Sequence, residues 1–249
     1  MRMASITRAT ALSALLISLL ALGVLAQQSG TTFSDSFHNR ALDNTHWKAG
    51  KVNAFGGITA TAQGLQMTLS SRNATDFFAE TLWLTCRISG DFSAQVDFNL
   101  LDWQAYNGVR LGIGVRPNAL PLGSTALNGT NGKTSGLRGA IAERLSLVPG
   151  QASAQPSGGE FYVGEFNGIP TFFVPTGRPS GKLRVARVQS LYTSYYWDGK
   201  LWVAVGSWAP TSGVEDVWLA LQLWGYESSP GVQTVLENFS ISANALNCS

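Results

Sequence analysis

Residues 91–100 read Asp91-Phe92-Ser93-Ala94-Gln95-Val96-Asp97-Phe98-Asn99-Leu100. Apolar and polar side chains alternate through this stretch, and successive side chains of a β-strand point to opposite faces. One face therefore carries only apolar side chains, and the other carries Ser93, Gln95, Asp97 and Asn99. The pattern predicts a half-buried strand with one face in a core and one face in water.

The next run repeats the pattern. It places Val109, Leu111, Ile113 and Val115 opposite Arg110, Gly112, Gly114 and Arg116. We predict that the two runs form an antiparallel pair joined across residues 102–108. Similar patterns predict further strands at Ile58–Leu69, Phe77–Ile88, Ala140–Val148, Glu160–Phe166, Lys182–Trp197, Leu201–Trp208, Val217–Gly225 and Val232–Ala243. Asp198-Gly199 predicts a hairpin with a two-residue type I′ turn.

Helical periodicity is almost absent after the first 26 residues. About a dozen short strands without a convincing helix predict an all-β fold of two stacked antiparallel sheets. Two stretches rich in small and polar residues, Pro117–Gly139 and Pro149–Gly159, read as surface loops, since strands resume after each. We therefore expect residues 27–249 to form a single sandwich domain.

The first 26 residues have the pattern of a secretory signal peptide. Arg2 and Arg8 precede an apolar stretch from Ala11 to Leu25, and Val24-Leu25-Ala26 resembles a cleavage site. The stretch is shorter than the ~20 residues that span a bilayer, so we favour removal after Ala26 over a membrane anchor. The domain is then secreted, extracellular or periplasmic, with no membrane attachment after cleavage.

Charge and cysteine content fit such a location. Arg2 and Arg8 account for the formal net charge of +2, so residues 27–249 carry no net charge and we expect no nucleic-acid partner. The two cysteines, Cys86 and Cys248, are either a disulfide, as an oxidising compartment favours, or two separate thiols.

Several short motifs resemble the concanavalin A-like lectin/glucanase superfamily. They are Phe33-Ser34-Asp35-Ser36-Phe37 followed by Leu42-Asp43 and Trp47, Ser89-Gly90-Asp91-Phe92, Leu183-Arg184-Val185-Ala186-Arg187, and Glu237-Asn238-Phe239-Ser240-Ile241. The resemblance covers nearly all of residues 27–249. It implies a jelly-roll sandwich whose concave sheet often faces sugars, while a shared fold does not by itself carry a function.

Candidate ligand-binding residues are the polar and aromatic side chains that point away from the core. Gln95, Asp97 and Asn99 come to lie beside Arg110 and Arg116 if the first two runs pair, and such an array can bind sugar hydroxyls. In Val217–Gly225, Leu219, Leu221 and Leu223 form the core face, so Trp218, Gln222 and Trp224 point the other way. The alternatives are a solvated sheet face with an Asp97–Arg110 ion pair, and tryptophans covered by a loop.

Catalytic signatures are weak. Laminarinase-like members of the superfamily carry Glu-x-Asp-x-x-Glu on one strand, whereas Glu160 and Glu165 are five residues apart and are expected on opposite faces. The only histidines, His38 and His46, lie outside any recognisable triad or zinc motif, so no metal and no cofactor is predicted.

These observations favour a secreted, lectin-like domain that binds a polysaccharide or other glycan and is not an enzyme. One alternative is a glycoside hydrolase or polysaccharide lyase with unusual catalytic residues, using Asp97 and either Glu143 or Glu160. The other is a structural or adhesive extracellular protein. Oligomeric state is left open.

Overall fold

A computed structural model describes residues 30–71, 76–117, 139–152, 154–155, 157–210, 215–226 and 229–248. These residues form strands and turns without a helix, as the sequence predicts. The strands are β1 Thr31–Asp35, β2 Trp47–Val52, β3 Gly56–Thr61, β4 Gly64–Leu69, β5 Phe78–Leu84, β6 Cys86–Asp102, β7 Val109–Pro117, β8 Ala140–Leu147, β9 Gly159–Phe166, β10 Ile169–Pro175, β11 Ser180–Val188, β12 Leu191–Trp197, β13 Trp202–Trp208, β14 Val217–Gly225 and β15 Val232–Cys248.

The strands build two antiparallel sheets. The β6 sheet has the order β13-β12-β11-β6-β15, and β15 also pairs with β1 and with the β3–β4 hairpin. The β7 sheet has the order β10-β9-β8-β7-β14-β5-β2. A single pair, Val217 with Ile88, joins the two sheets at a corner.

The sheets pack face to face around one apolar core. The predicted apolar residues of β6, β7 and β14 all belong to the same buried cluster. Across the interface, the Tyr162 ring of β9 stacks on the Tyr196 ring of β12, with centroids 4.4 Å apart. The two-sheet architecture predicted from the alternation is confirmed, and it is the usual way to bury one face of each sheet.

The predicted pairing of β6 with β7 is wrong. Strand β6 lies between β11 and β15, whereas β7 lies between β8 and β14. Residues 103–108 therefore carry the chain from one sheet to the other. Alternation determines which face of a strand is buried, and two strands in opposite sheets satisfy that pattern as well as two neighbours do.

Local turn chemistry also differs from expectation. The predicted strands Ile58–Leu69 and Lys182–Trp197 are hairpins, β3–β4 and β11–β12. The β12–β13 hairpin forms, but of its loop residues only Gly199 has a positive φ, so the predicted type I′ turn is wrong. Instead, the Asp198 carboxylate accepts hydrogen bonds from the backbone N–H groups of Lys200 and Leu201.

The predicted disulfide is present. Cys86 begins β6 and Cys248 ends β15, and the two residues are register partners with Cα atoms 3.9 Å apart. The bond links positions 162 residues apart, which on the chain-entropy description stabilises the fold by about 4 to 5 kcal/mol.

Some predicted features lie outside the described residues, namely the signal segment 1–26 and nearly all of the loop 117–139. Across the described ranges, no helix is long and apolar enough to cross a lipid bilayer.

Candidate functional site on the outer face of the β6 sheet

The predicted ligand-binding residues fall on two different surfaces. Gln95, Asp97 and Asn99 point outward from the β6 sheet. The other four lie on the outer face of the β7 sheet, at Arg110, Trp218, Gln222 and Trp224. The single array expected from the sequence therefore does not form, because β6 and β7 belong to different sheets.

The outer face of the β6 sheet, here called the open face, presents two adjacent rows of mostly polar side chains. Both rows run from β12 across β11, β6 and β15 to β1. We call them the polar band, made up of Tyr195, Arg184, Gln95, Ser240 and Ser34 in one row and Thr193, Ala186, Ser93, Ser242 and Thr32 in the other.

A shallow depression of about 310 Å³ lies over one end of the polar band. Five of the eight residues that line it carry a hydroxyl group, Gln95 adds an amide, and Phe33 and Ile241 add apolar surface; the lining residues are Thr32, Phe33, Ser34, Ser93, Gln95, Ser240, Ile241 and Ser242. Hydroxyls both donate and accept hydrogen bonds, and a primary amide does the same with separate atoms. The depression thus offers a dense set of neutral hydrogen-bonding groups.

Gln95 is held in place from the side of β11. Its Oε1 accepts a hydrogen bond of 2.6 Å from Arg184 Nη2. The Arg184 guanidinium also lies 3.9 Å from the centre of the Trp202 ring, a close cation–π contact. Trp202 in turn meets the Trp197 ring edge to face, at 5.4 Å. An oriented amide therefore borders the depression, and it is linked through Arg184 to an aromatic pair on β12 and β13.

Asp97 lies one row beyond Gln95. Its Oδ2 accepts hydrogen bonds from Lys182 Nζ at 2.8 Å and from Asn238 Nδ2 at 3.2 Å. The predicted partner Arg110 is on the other sheet, so the Asp97–Arg110 alternative is wrong as well. Asn99 is exposed one further row along β6.

The outer face of the β7 sheet, here called the covered face, has a different character. Gln222 and Trp224 are fully buried, Arg110 is nearly so, and Trp218 is half-buried. The Trp224 ring lies over Gly112, where an added Cβ would come within 2.9 Å of the ring atom Cη2. Gln222 Oε1 accepts a hydrogen bond of 3.3 Å from the Thr81 hydroxyl.

Two buried carboxylates share one guanidinium on the covered face. Arg110 Nη1 lies 3.2 Å from Glu143 Oε2 and 3.2 Å from Glu165 Oε2. Glu165 and Glu160 face opposite ways, as their spacing predicts: Glu160 instead pairs with Arg144 at 2.6 Å and accepts from Trp103 Nε1.

Burial and neighbouring charges shift the pKa values of groups in this cluster. Burial and then the nearby charge of Glu165 raise the pKa of Glu143 well above its ordinary value, against the opposing effect of Arg110. Burial alone lowers the pKa of Arg110, but the two carboxylates outweigh it and the net direction is upward. Burial also raises the pKa of Tyr226, which lies beside Arg110, to about 12.

Sequence reasoning missed Arg184 and Ser240, which flank Gln95 in the sheet, Ser242 in the adjacent row, and Trp202 against Arg184. A signal was available, because alternation in Leu183–Arg187 directs Arg184 outward and alternation in Phe239–Ala243 directs both serines outward. The missing information was which strands lie beside β6.

Comparison with solved structures defines the class of fold. Lectin I-B4 from Griffonia simplicifolia, in a metal-free form, superposes with a TM-score of 0.61 at 12% identity, over 86% of this chain and 100% of that chain. A lectin from Bauhinia forficata in complex with GalNAc gives 0.58 at 12% identity, over 87% and 100%. The exoplasmic/lumenal domain of VIP36, in a form bound to Ca²⁺ and Man3GlcNAc, gives 0.56 at 10% identity, over 87% and 92%.

The chain therefore has the concanavalin A-like jelly-roll fold that its sequence motifs resemble. At these identities the likeness establishes the fold alone. The sequence matches no protein-family profile, and no curated relative shows significant similarity. Within the described residues no group of three or more His, Cys, Asp or Glu side chains is placed to hold a metal ion.

Proposed function

We propose that this chain is an exported glycan-binding domain whose ligand lies on the open face, over the polar band. The observation that carries this proposal is the 310 Å³ depression lined by serine and threonine hydroxyls and the Gln95 amide. Such groups match the alternating donors and acceptors of a sugar ring. Beyond Arg184 on the same face, the half-buried Trp197 and Trp202 rings are placed to contact the C–H face of a further sugar unit, although Arg184 covers one side of the Trp202 ring.

Three of the seven predicted ligand-binding residues stay in the proposal. Gln95 lines the depression, while Asp97 and Asn99 lie along the same face and extend the surface for a longer glycan. Arg110, Gln222 and Trp224 are buried, and Trp218 is half-buried, so they are not part of it.

Two further features support the proposal. The lectin structures with the same fold include complexes with GalNAc and with Man3GlcNAc. The Cys86–Cys248 disulfide and the signal-like residues 1–26 fit an oxidising location outside the cytoplasm.

The test is a glycan array and a pull-down on insoluble polysaccharides with residues 27–249. We expect binding at millimolar ligand or better, weakened by Gln95→Ala and by Trp202→Ala. Gln66→Ala is the matched control, because Gln66 lies on β4 of the same sheet, away from the depression. No binding by the wild-type chain would overturn the proposal. Concentration-dependent self-association without a sugar effect would favour the adhesive alternative.

A second candidate function rests on the covered face. Glu143 and Glu165 contact the same guanidinium nitrogen, and burial together with the nearby Glu165 raises the pKa of Glu143. Glycoside hydrolysis uses a general acid together with a carboxylate base or nucleophile. Because both groups are buried and held by Arg110, binding on the open face is the leading proposal.

This second function has a separate test. Release of reducing sugar from a polysaccharide panel, abolished in Glu143→Gln and unchanged in Gln66→Ala, would establish it. Absence of release across the panel would leave the acid pair a structural feature.

A further inference from the structure

Among the described residues, Arg184 has no anionic partner, unlike three other cations of the sandwich. Lys182 pairs with Asp97, Arg144 with Glu160, and Arg110 with two glutamates. Arg187, also on β11, is instead held by the backbone carbonyls of Gly90 and Glu215. Within the described part of the chain, Arg184 makes no ion pair: its one side-chain hydrogen bond is to the neutral amide of Gln95. Its Nε is buried without an acceptor.

This cation is also partly desolvated. The Trp202 ring covers one side of the guanidinium at 3.9 Å, and burial lowers the pKa of Arg184. A partly buried charge is normally paired, since desolvation without a counter-charge is unfavourable. The guanidinium is thus held flat and in a fixed orientation, while its charge remains uncompensated.

The acids nearest to Arg184 on the open face have other partners. In the next row, Asp97 binds Lys182 and Asn238, and Glu237 contacts His38 at 2.9 Å. On the opposite side of Arg184 lies the row of Ala186, Ser93, Ser242 and Thr32, which carries no charge. A ligand in the depression therefore approaches Arg184 from its uncharged side.

We infer that the open face selects an anionic glycan, with a carboxylate or sulfate oxygen of the ligand at Arg184 and the ring hydroxyls over Gln95 and the serines. This inference rests on the proposed glycan-binding function and specifies its ligand class. Guanidinium is the side-chain group best suited to planar oxyanions, because its N–H groups form a rigid fork. The Gln95 hydrogen bond and the Trp202 contact fix that fork before the ligand arrives.

The experiment compares polymers with the same backbone and different charge. Residues 27–249 are titrated with dextran and dextran sulfate, and with polygalacturonate and its methyl ester. We expect the anionic member of at least one pair to bind about tenfold more tightly, the effect of one charge-assisted hydrogen bond. Preference within the dextran pair indicates a sulfate ligand, and preference within the galacturonate pair indicates a uronic acid.

Two variants, each of which removes one positive charge, test whether the preference for the anionic polymer comes from Arg184. Arg184→Gln should abolish the preference for the anionic polymer, whereas Lys48→Gln should keep it, because Lys48 is exposed on β2 of the other sheet. Unfolding midpoints of both variants check that the fold is retained.

The outcomes separate the inference from the function on which it rests. Equal binding of charged and neutral members leaves glycan binding intact and overturns the anionic selectivity. A preference that survives Arg184→Gln also overturns the assignment to Arg184. No binding of any polymer here or on the array overturns the proposed function itself.

Discussion

The two outer faces of the sandwich come from the same alternating pattern and have opposite properties. On the open face, polar side chains border a depression, and the ion pair Lys182–Asp97 is partly exposed. On the covered face, Arg110 and two glutamates are buried together with Trp224. Polar side chains of the open face can therefore exchange their hydrogen bonds for hydrogen bonds to water or a ligand. On the covered face, the polar groups bind each other and are shielded from water.

The two faces therefore differ in how much the loss of a charged residue lowers the stability of the fold. Removing a partner from a buried charge cluster leaves the remaining charges without solvent or counter-ion, whereas water replaces a lost partner on an exposed face. Stability should therefore depend on the covered face and ligand binding on the open face.

The largest effect is expected for Arg110→Met. It leaves Glu143 and Glu165 buried without their shared cation, and we expect the free energy of unfolding to fall by about 3 to 5 kcal/mol. Denaturant unfolding measures this. The matched variant on the open face, Arg184→Met, should lower it by no more than about 1 kcal/mol. Equal losses in the two variants would contradict the contrast between the faces.

Gly112→Ala should have the next largest effect. The new Cβ would come within 2.9 Å of Trp224 Cη2 and 3.0 Å of Ile141 Cγ2, in a fully packed layer. Overpacking of this kind costs about 1 to 3 kcal/mol. Gly57→Ala is the control, because nothing lies within 4 Å of a Cβ at Gly57 in β3. A Gly112→Ala protein as stable as the Gly57→Ala protein would show that Trp224 is loosely packed.

The raised pKa of Glu143, on the covered face, predicts that the stability of the fold depends on pH. The pKa of Glu143 is raised in the folded chain above its ordinary value of 4.5. Just above pH 4.5, Glu143 therefore stays protonated in the native state and loses its proton in the unfolded chain. The contribution of Glu143 to stability is complete below that value and is lost as pH rises through the folded pKa. Glu143→Gln should remove this loss.

Unfolding of wild type and Glu143→Gln across a pH series tests the sign. The variant should gain stability relative to wild type as pH rises above 4.5. A difference that stays constant with pH would show that the pKa of Glu143 is the same in the native and unfolded states.

The smallest effect on stability is expected for Ser242→Ala on the open face. Ser242 is exposed in the polar band, so the free energy of unfolding should change by about 0.5 kcal/mol or less. Glycan affinity should nevertheless fall by a factor of about two to ten, as expected for the loss of one hydrogen bond. Isothermal titration of a bound glycan measures it, and unchanged affinity would remove Ser242 from the site.

Much of the fold was predictable because its signals are local. Alternation in residues 91–100 correctly separates Phe92 and Val96 from Gln95 and Asp97. The candidate site was only partly predictable. Gln95 was identified from its outward position, but its neighbours Arg184 and Ser240 come from strands 89 and 145 residues further along the chain.

The sequence by itself determined the all-β class, the side of each alternating strand that enters the core, and that Cys86 and Cys248 are the two cysteines available for a disulfide. Those properties follow from the two-residue period of a strand and from the count of available thiols. Only the tertiary structure decided that β6 and β7 lie in different sheets, and that Arg110 meets two glutamates rather than Asp97. The physical reason is that a period-two pattern fixes the direction of each side chain but not the identity of the neighbouring strand. Neighbours, and whether an outward face is open or covered, depend on the path of the whole chain.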